Sequence, residues 1–354
     1  MHVNRDLGVD RLSALAAGLL LLGSGGGGDP GLLAPAARAA IAERGLRTIG
    51  IDDLGDDDLV APIGFIGSTS LLREKLPSGG EIGQAVDALR RWTGRNPTAL
   101  MSIEMAGVNG FTPIVPAVEM GLPLVDADLA GRALPRLDIV SLVAAGSALV
   151  PCAVTGPGGQ VIVLDQVDAG QVERLLREFV ARTSGWGALA LPFQTAAGLR
   201  DRVVTGTLER ALRIGEALAA TPASASALEM ATAVGGRLLG AGRVLDSETG
   251  ASLGGFDHTT VTVRDSASGS ILRVEAENEF ILAQRDGEMV ATAPTIITLL
   301  AIPERRIVAV DDVRAGLDVA ILALPAPGWW VETPVRAAHI SPAAFGFEQE
   351  VVPW

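Results

Sequence analysis

Gly23-Ser24-Gly25-Gly26-Gly27-Gly28-Asp29-Pro30 closes one apolar helical segment and leads straight into another, Gly31 to about Gly45. Each glycine loses more backbone freedom on folding than any other residue. Four in succession between two helices therefore mark a backbone that turns sharply or approaches something closely. Bare amides beside a helix start can also hold an anion or a polarised carbonyl oxygen. A flexible linker is the plainer reading, but linkers rarely separate two apolar helices. The run is not a P-loop, because no Gly-Lys-Ser or Gly-Lys-Thr follows. A dinucleotide fingerprint would follow a strand, whereas this run follows a helix. Asp52 and Asp53, at the end of a strand from Arg47, keep a degenerate nucleotide site open.

Outward from this run, helical and strand-like segments alternate through the first 165 residues. Helices are predicted at Asp10–Leu22, Pro30–Arg44, Glu81–Trp92 and Pro113–Met120. Strands are predicted at Arg47–Asp52, Leu59–Phe65, Ala99–Glu104, Pro123–Asp126, Ala148–Thr155 and Val161–Asp165. Such alternation specifies an α/β layer with a mainly parallel sheet. Val172, Leu175, Leu176, Phe179 and Val180 then share one face of a helix over Ala169–Arg182. A strand at Ala188–Phe193 and helices at Leu208–Ala220 and Ser224–Ala233 follow. From Gly235 the period changes to short β-branched runs, with Asp286-Gly287 as a hairpin signal and a last strand at Trp329–Val331. The expected plan is an N-terminal α/β domain over residues 1–166 and a C-terminal α+β domain over 167–354, mostly β from about 235.

Composition removes several kinds of chemistry. A formal charge of -13 opposes nucleic acid, whose phosphates need a basic face. Ala14–Leu22 is about half a membrane-spanning length, and Asp6 and Asp10 precede it where a signal peptide would be basic. The expectation is a soluble, cytoplasmic protein with no membrane partner. Cys152 is the only cysteine, which excludes an internal disulfide and every CxxC metal site; it reads as a buried structural thiol. There is no tyrosine, Lys75 is the only lysine, and His2, His258 and His339 are widely separated. Acid–base or metal chemistry must lean on Asp and Glu, with one histidine as an option.

Polar clusters at predicted strand ends are the natural ligand sites of an open α/β sheet. Gly64-Phe65-Ile66-Gly67-Ser68-Thr69 offers a second backbone cradle, or an ordinary turn capped by Ser68. Glu104 ends an apolar strand where a carboxylate is otherwise unwelcome, and Asn109 beside it can donate and accept, or cap the next helix. Asp126 and Asp128 alternate on one face of an extended chain and repel unless a cation, Arg132 or a shared proton relieves them. Glu275, Glu277 and Glu279 alternate on one strand face, a solvated face being the plain alternative, with Asn278 and Phe280 on the other.

The glycine run, Gly64–Thr69 with Glu74-Lys75-Leu76-Pro77-Ser78-Gly79, Val125–Arg132, Thr205-Gly206-Thr207-Leu208 and Glu277-Asn278-Glu279 together resemble the DUF917 family. That family is described as S-methyl thiohydantoin desulfurase-like and is associated with hydantoinase and oxoprolinase genes. The resemblance runs in order from about Val9 to Phe345-Gly346-Phe347. It implies hydrolysis of a 2-methylthio-imidazolone ring to a hydantoin, with release of methanethiol. Arg136, Glu209 and Thr295 depart from the family pattern, where an acid, a small hydroxyl and Asp are common.

The reading that follows is a hydrolase of a small hydantoin-like ring. Glu104, Asp128 and Asp126 are the catalytic carboxylates. Gly25, Gly26, Gly27, Gly28, Asp29, Ser68, Asn109, Arg132, Asn278 and Glu279 bind substrate. The glycine amides are expected to stabilise developing negative charge, and Arg132 to orient an anionic substituent. A divalent metal held by Asp126, Asp128, Glu104 and His258 stays open, as does a homo-oligomer. The alternatives are a non-catalytic accessory protein for a hydantoinase-type enzyme, which the three departures motivate, and a nucleotide-binding protein using the glycine loop.

Overall fold

A computed structural model describes residues 5–251 and 257–354; His2 lies outside the described residues. The N-terminal strands are β1 (Arg5–Asp6), β2 (Arg47–Ile49), β3 (Leu59–Gly67), β4 (Ala99–Ser102), β5 (Leu124–Val125), β6 (Ala127–Asp128), β7 (Cys152–Thr155), β8 (Val161–Leu164), β9 (Trp186–Ala190) and β10 (Gln194–Thr195). One sheet runs β1-β2-β5-β4-β3-β9-β7-β8, with β10 also paired to β3.

This sheet is mixed, a correction to the mainly parallel expectation. Pairs β2–β5, β4–β5 and β3–β4 are parallel. Pairs β1–β2, β3–β9, β7–β9 and β7–β8 are antiparallel. Strands joined through helices return parallel, but the tight turn closed by the Gly156 amide on the Gln160 carbonyl can only reverse the chain. Strand β9, C-terminal to residue 166, fills the slot beside β3.

Both faces of the sheet are covered, so its strands read as apolar runs. Along β3, Ala61, Ile63 and Phe65 join one core cluster while Val60 joins another. The first cluster includes the helix Leu12–Leu22, which packs on the helix Thr207–Ala220. A Cβ on Gly18 would fall 1.8 Å from the Ala211 carbonyl oxygen, and one on Gly215 would fall 1.7 Å from that of Ala14. Only glycine permits so close a crossing, and it fixes where the first helix delivers the glycine run.

The second sheet follows a short strand, β11 (Val204–Thr205), which pairs with β6. Its strands are β12 (Arg237–Ala251), β13 (Asp257–Asp265), β14 (Ile271–Glu277), β15 (Glu279–Arg285), β16 (Glu288–Thr292), β17 (Ile296–Ala301), β18 (Arg306–Val308) and β19 (Asp318–Leu324). They are antiparallel in the order β16-β15-β14-β13-β12-β19-β17-β18. The α/β-then-β plan of the sequence is therefore the architecture of the molecule. Asp286-Gly287 turns the β15–β16 hairpin, with Asp286 at φ 48° and Gly287 at φ 89°.

One predicted strand is a helix. Trp329–Val331 lies in the short helix Gly328–Val331, which starts after Pro327. Adjacent Trp329 and Trp330 are both buried and meet edge to face at 4.8 Å. A strand would have pointed them to opposite faces. Among the described residues no helix is long and apolar enough to cross a membrane.

Candidate active site

The glycine run lies at the seam between the two sheets. The Phe280 amide donates to the Ser24 carbonyl at 2.8 Å, the Val310 amide to the Gly25 carbonyl at 3.0 Å, and the Val108 amide to the Gly27 carbonyl at 2.8 Å. There is no room for side chains. A Cβ on Gly25 would fall 2.5 Å from the Phe280 ring, and one on Gly26 would fall 2.5 Å from Glu279 Oε1. Two of the four expected glycine amides have a partner inside the run. Gly26 and Gly27 both donate to the Gly23 carbonyl, at 2.9 and 3.0 Å, as the preceding helix winds out. They are engaged within the loop and are not aimed at a ligand. The run is glycine because two lobes close on it.

Beside the run opens a cleft of about 800 Å³, lined by Gly26, Gly27, Ser68, Glu104, Asn109, Asn278 and Glu279 among others. The fold thus brings seven of the expected site residues together from both lobes. Glu104 follows β4, and burial pushes its carboxyl up to about 7, against the hydrogen bonds it receives from Asn109 and the Leu134 amide. Asn109 Nδ2 donates to Glu104 Oε1 at 3.0 Å and to the Phe65 carbonyl at 3.0 Å, while its Oδ1 accepts from the Phe65 amide at 2.6 Å. Asn109 is therefore neither a helix cap nor free; it ties Glu104 to the end of β3.

Glu279 opens β15. Burial and then the neighbouring Glu104 hold its carboxyl well above the usual range, with Arg132 and Asn278 opposing. Asn278 Nδ2 donates to Glu279 Oε1 at 2.7 Å, and Glu279 Oε2 is buried with no protein partner. Asn278 sits at φ 65°, and here the chain doubles back from β14 into β15. That reversal overturns the strict alternation read across Glu275–Phe280, and the solvated-face alternative with it. Glu275, Glu277 and Glu279 are all buried, and Glu275 is held by His258, Thr260 and Arg273. Ser68 caps the helix Thr69–Glu74 through the Leu71 amide at 3.2 Å and also lines the cleft.

The remaining expected residues stand behind the cleft rather than in it. Asp128 is fully buried and accepts from the amides of Met105, Ala130 and Gly131. Burial nonetheless raises its carboxyl to about 7. Asp126 accepts from the Leu208 amide at 2.7 Å, at the start of the helix Thr207–Ala220. The two aspartates are thus spent on organising backbone on different elements. Arg132 donates to the carbonyls of Ala133, Thr295 and Phe280 and to Ser24 Oγ, at 3.0 to 3.3 Å. Buried at the seam, it faces the charge of Glu279 and Glu104 and does not line the cleft. Asp29 Oδ1 accepts from Gly31 at 2.8 Å and caps the turn Pro30–Leu32. Gly25 and Gly28 pack against Phe280 and Thr69 and also lie outside the cleft lining.

Among the described residues, no group of three or more His, Cys, Asp or Glu side chains is placed to hold a metal ion. The ligand set of Asp126, Asp128, Glu104 and His258 does not converge, since amides take the aspartates and Glu275 takes His258. Burial pushes the Cys152 thiol up to about 12, which makes it inert. The cleft also recruits residues outside the expected set, notably Phe65, Lys75, Arg136, Arg177 and Trp186. The signal for Lys75 was present: it is the only lysine in the chain.

Comparison with known proteins agrees with this architecture. The profile described as S-Me-THD-like, N-terminal domain, matches residues 10–166. Its partner, S-Me-THD-like, C-terminal domain, matches residues 167–354. No functionally curated protein matches the chain. A crystal structure of a protein from Chromobacterium violaceum has a TM-score of 0.80 and 24% identity, with 99% of each chain covered. At that identity it shares the fold.

Proposed function

The chain belongs to the S-Me-THD-like family, and from that premise we propose that it hydrolyses a small hydantoin-like ring, converting an S-methyl thiohydantoin to a hydantoin with release of methanethiol. The observation that carries this reading is the pair of carboxyls in one cleft. Glu104 comes from the first lobe, Glu279 from the second, and burial raises the proton affinity of both. A carboxylate that titrates near neutrality is matched to general base catalysis, and a neighbour kept protonated is matched to general acid catalysis.

In this mechanism Glu104 takes a proton from water as its oxygen attacks the ring carbon that bears sulfur. Glu279 gives its proton to the adjacent ring nitrogen, so the C=N double bond becomes a C–N single bond. The tetrahedral intermediate then expels the thiolate. Its hydroxyl proton passes to Glu279, leaving the new C=O, and Glu104 delivers its proton to the departing sulfur. Both carboxyls return to their starting states. A thiolate leaves readily, so the absence of tyrosine and the engagement of His258 by Glu275 are no obstacle. Asn109 and the Leu134 amide hold the two oxygens of Glu104, and Asn278 holds Oε1 of Glu279, so both carboxyls are fixed in orientation.

The experiment is incubation of purified protein with S-methyl thiohydantoins while thiol and hydantoin are both quantified. Equimolar release of the two, lost in Glu104→Gln, is the expected result. Binding of the ring without thiol release would favour the accessory-protein reading instead. The expected partner is a small cyclic molecule, and the expected compartment is the cytoplasm.

A further inference from the structure

Arg132 stands behind the two carboxyls of the cleft and is tied to the backbone beside each. Leu134, two positions after it, donates its amide to Glu104 Oε2 at 3.1 Å. Across the seam, Arg132 Nη2 lies 3.3 Å from the carbonyl of Phe280, the residue after Glu279. The guanidinium is fully buried, and its bonds all go to neutral oxygens, those of Ala133, Thr295, Phe280 and Ser24. Among the described residues it makes no direct bond to a carboxylate. A guanidinium keeps its charge even in a dry interior, and a buried charge with no opposite charge nearby is costly.

The other buried carboxyls have donors or cations of their own. Asp128 accepts three amides and faces Arg210. Glu277 faces Arg136, Arg177 and His258. The charges that face Arg132 are Glu279 and Glu104. One cation thus serves two carboxyls, and ionising both would leave a surplus negative charge in the same interior. Hydrogen bonds decide which of them carries the charge. Both oxygens of Glu104 accept, from Asn109 and from the Leu134 amide, as suits a carboxylate. Glu279 accepts at Oε1 alone, and its buried Oε2 is open to carry a proton.

Resting on the ring-hydrolase reading, we infer that Arg132 is a positioning residue of the reaction: without touching substrate, it holds the pair Glu104 and Glu279 at one proton, with the negative charge on Glu104. Base and acid are then assigned jointly, through a shared cation, and not by each carboxyl alone. Asp128 beside Glu104 and Glu277 beside Glu279 act against ionisation, and Arg132 opposes them at both carboxyls.

¹³C NMR of protein labelled at the glutamate carboxyl carbon reads both ionisations without substrate, and Glu104→Gln and Glu279→Gln assign the signals. In the parent the pair is expected to lose its protons in two separate steps, Glu104 first. In Glu104→Gln the cation passes wholly to Glu279, whose step should fall by about one pH unit or more. That arm retains Arg132 and does not depend on a variant that folds poorly. Arg132→Met should move the first step up by a similar amount, and Arg132→Lys, which keeps the charge, should bring it back. A merely structural role would leave the Met and Lys variants alike. Loss of both protons in one step, a Glu279 step unmoved in Glu104→Gln, or equal titration in Arg132→Met and Arg132→Lys overturns the inference. Thiol release whose pH profile is unmoved in Arg132→Met removes this inference alone. The expected titration with no thiol release from S-methyl thiohydantoins removes the hydrolase and leaves the proton pair standing.

Discussion

Ser24 and Phe280 face each other across the seam in a paired contact: the Phe280 amide donates to the Ser24 carbonyl at 2.8 Å, and the Ser24 hydroxyl lies 3.2 Å from the Phe280 carbonyl. Phe280 follows Glu279, and Gly26, two residues past Ser24, borders the same cleft. The contact therefore fixes one carboxyl relative to the lobe that holds the other. The proposed catalytic geometry thus depends on a backbone-to-backbone junction.

Gly26→Ala is the most direct probe of that junction. Its Cβ would fall 2.5 Å from Glu279 Oε1 and 2.6 Å from the Asn278 carbonyl, backbone that cannot yield. Overpacking of this kind costs ~1–3 kcal/mol, and thiol release should be lost. Gly83→Ala is the control, because its Cβ would meet only Met120 at 3.8 Å on a helix. It should be neutral or stabilising by up to ~1 kcal/mol. Chemical denaturation of both checks this; equal stability and activity would remove the seam argument.

Glu104→Gln and Glu279→Gln should each lower kcat/KM by a factor of ~10²–10⁴ while the far-UV spectrum stays native. Gln is close in shape to a protonated carboxyl, so Glu279→Gln in particular should fold normally. Activity retained in either variant would take that residue out of the mechanism.

The pH dependence has opposite signs for stability and for rate. Glu104 is raised from 4.5 in an unfolded chain to about 7 here, so between these values the folded protein holds a proton that the unfolded one has lost. Its contribution is complete below about 4.5 and is lost as pH rises through about 7. Asp128, raised to about 7, and Glu279, also raised, act in the same direction. Unfolding midpoints should fall over this range, less steeply in Glu104→Gln. The rate should instead rise through about pH 7 as Glu104 becomes the base. An unchanged stability slope in Glu104→Gln would refute the assignment.

Arg132→Met should destabilise the protein by ~3–5 kcal/mol, because it strips the cation from two buried carboxyls and removes the hydrogen bonds to the carbonyls of Ala133, Thr295 and Phe280 and to Ser24 Oγ. Arg132→Lys should recover only part of this, since an ammonium cannot span the same acceptors. A denaturant midpoint close to that of the parent would contradict the role.

Asp126→Ala should cost ~1 kcal/mol, the usual price of losing a helix-start acceptor, here for the Leu208 amide. Thiol release per folded molecule should be unchanged. Loss of turnover with stability intact would return Asp126 to the chemistry.

Much of the architecture was legible because periodicity is a local property. The helix Glu81–Thr93, the strand β14 and the Asp286-Gly287 turn announce themselves within a few residues. Mixed strand direction was not legible, since nothing local to β9 says that it pairs with β3. Trp329–Val331 misled for a related reason: aromatic residues favour strands on average, but Pro327 and two inward-facing rings require a helical turn.

Site residues divide the same way. A carboxylate that ends an apolar run, such as Glu104, was conspicuous by its cost, whereas Asn278 and Glu279 stood out through the alternation of Glu275, Glu277 and Glu279. Arg132, Asp126 and Asp128 looked equally conspicuous, yet they satisfy buried backbone groups instead of a ligand. The sequence cannot distinguish the two uses, because both need a charged group at a strand end.

By itself the chain determined that two kinds of layer would form, that its acid–base groups would be mostly carboxyls, and that a glycine run would lie where backbones crowd. Those properties follow from side-chain types and short-range spacing. Only the tertiary structure decided which carboxyls share a cleft and which are consumed by amides, and that the run is where the two lobes touch. Partnership across more than a hundred residues depends on how two lobes close, and no local pattern encodes that.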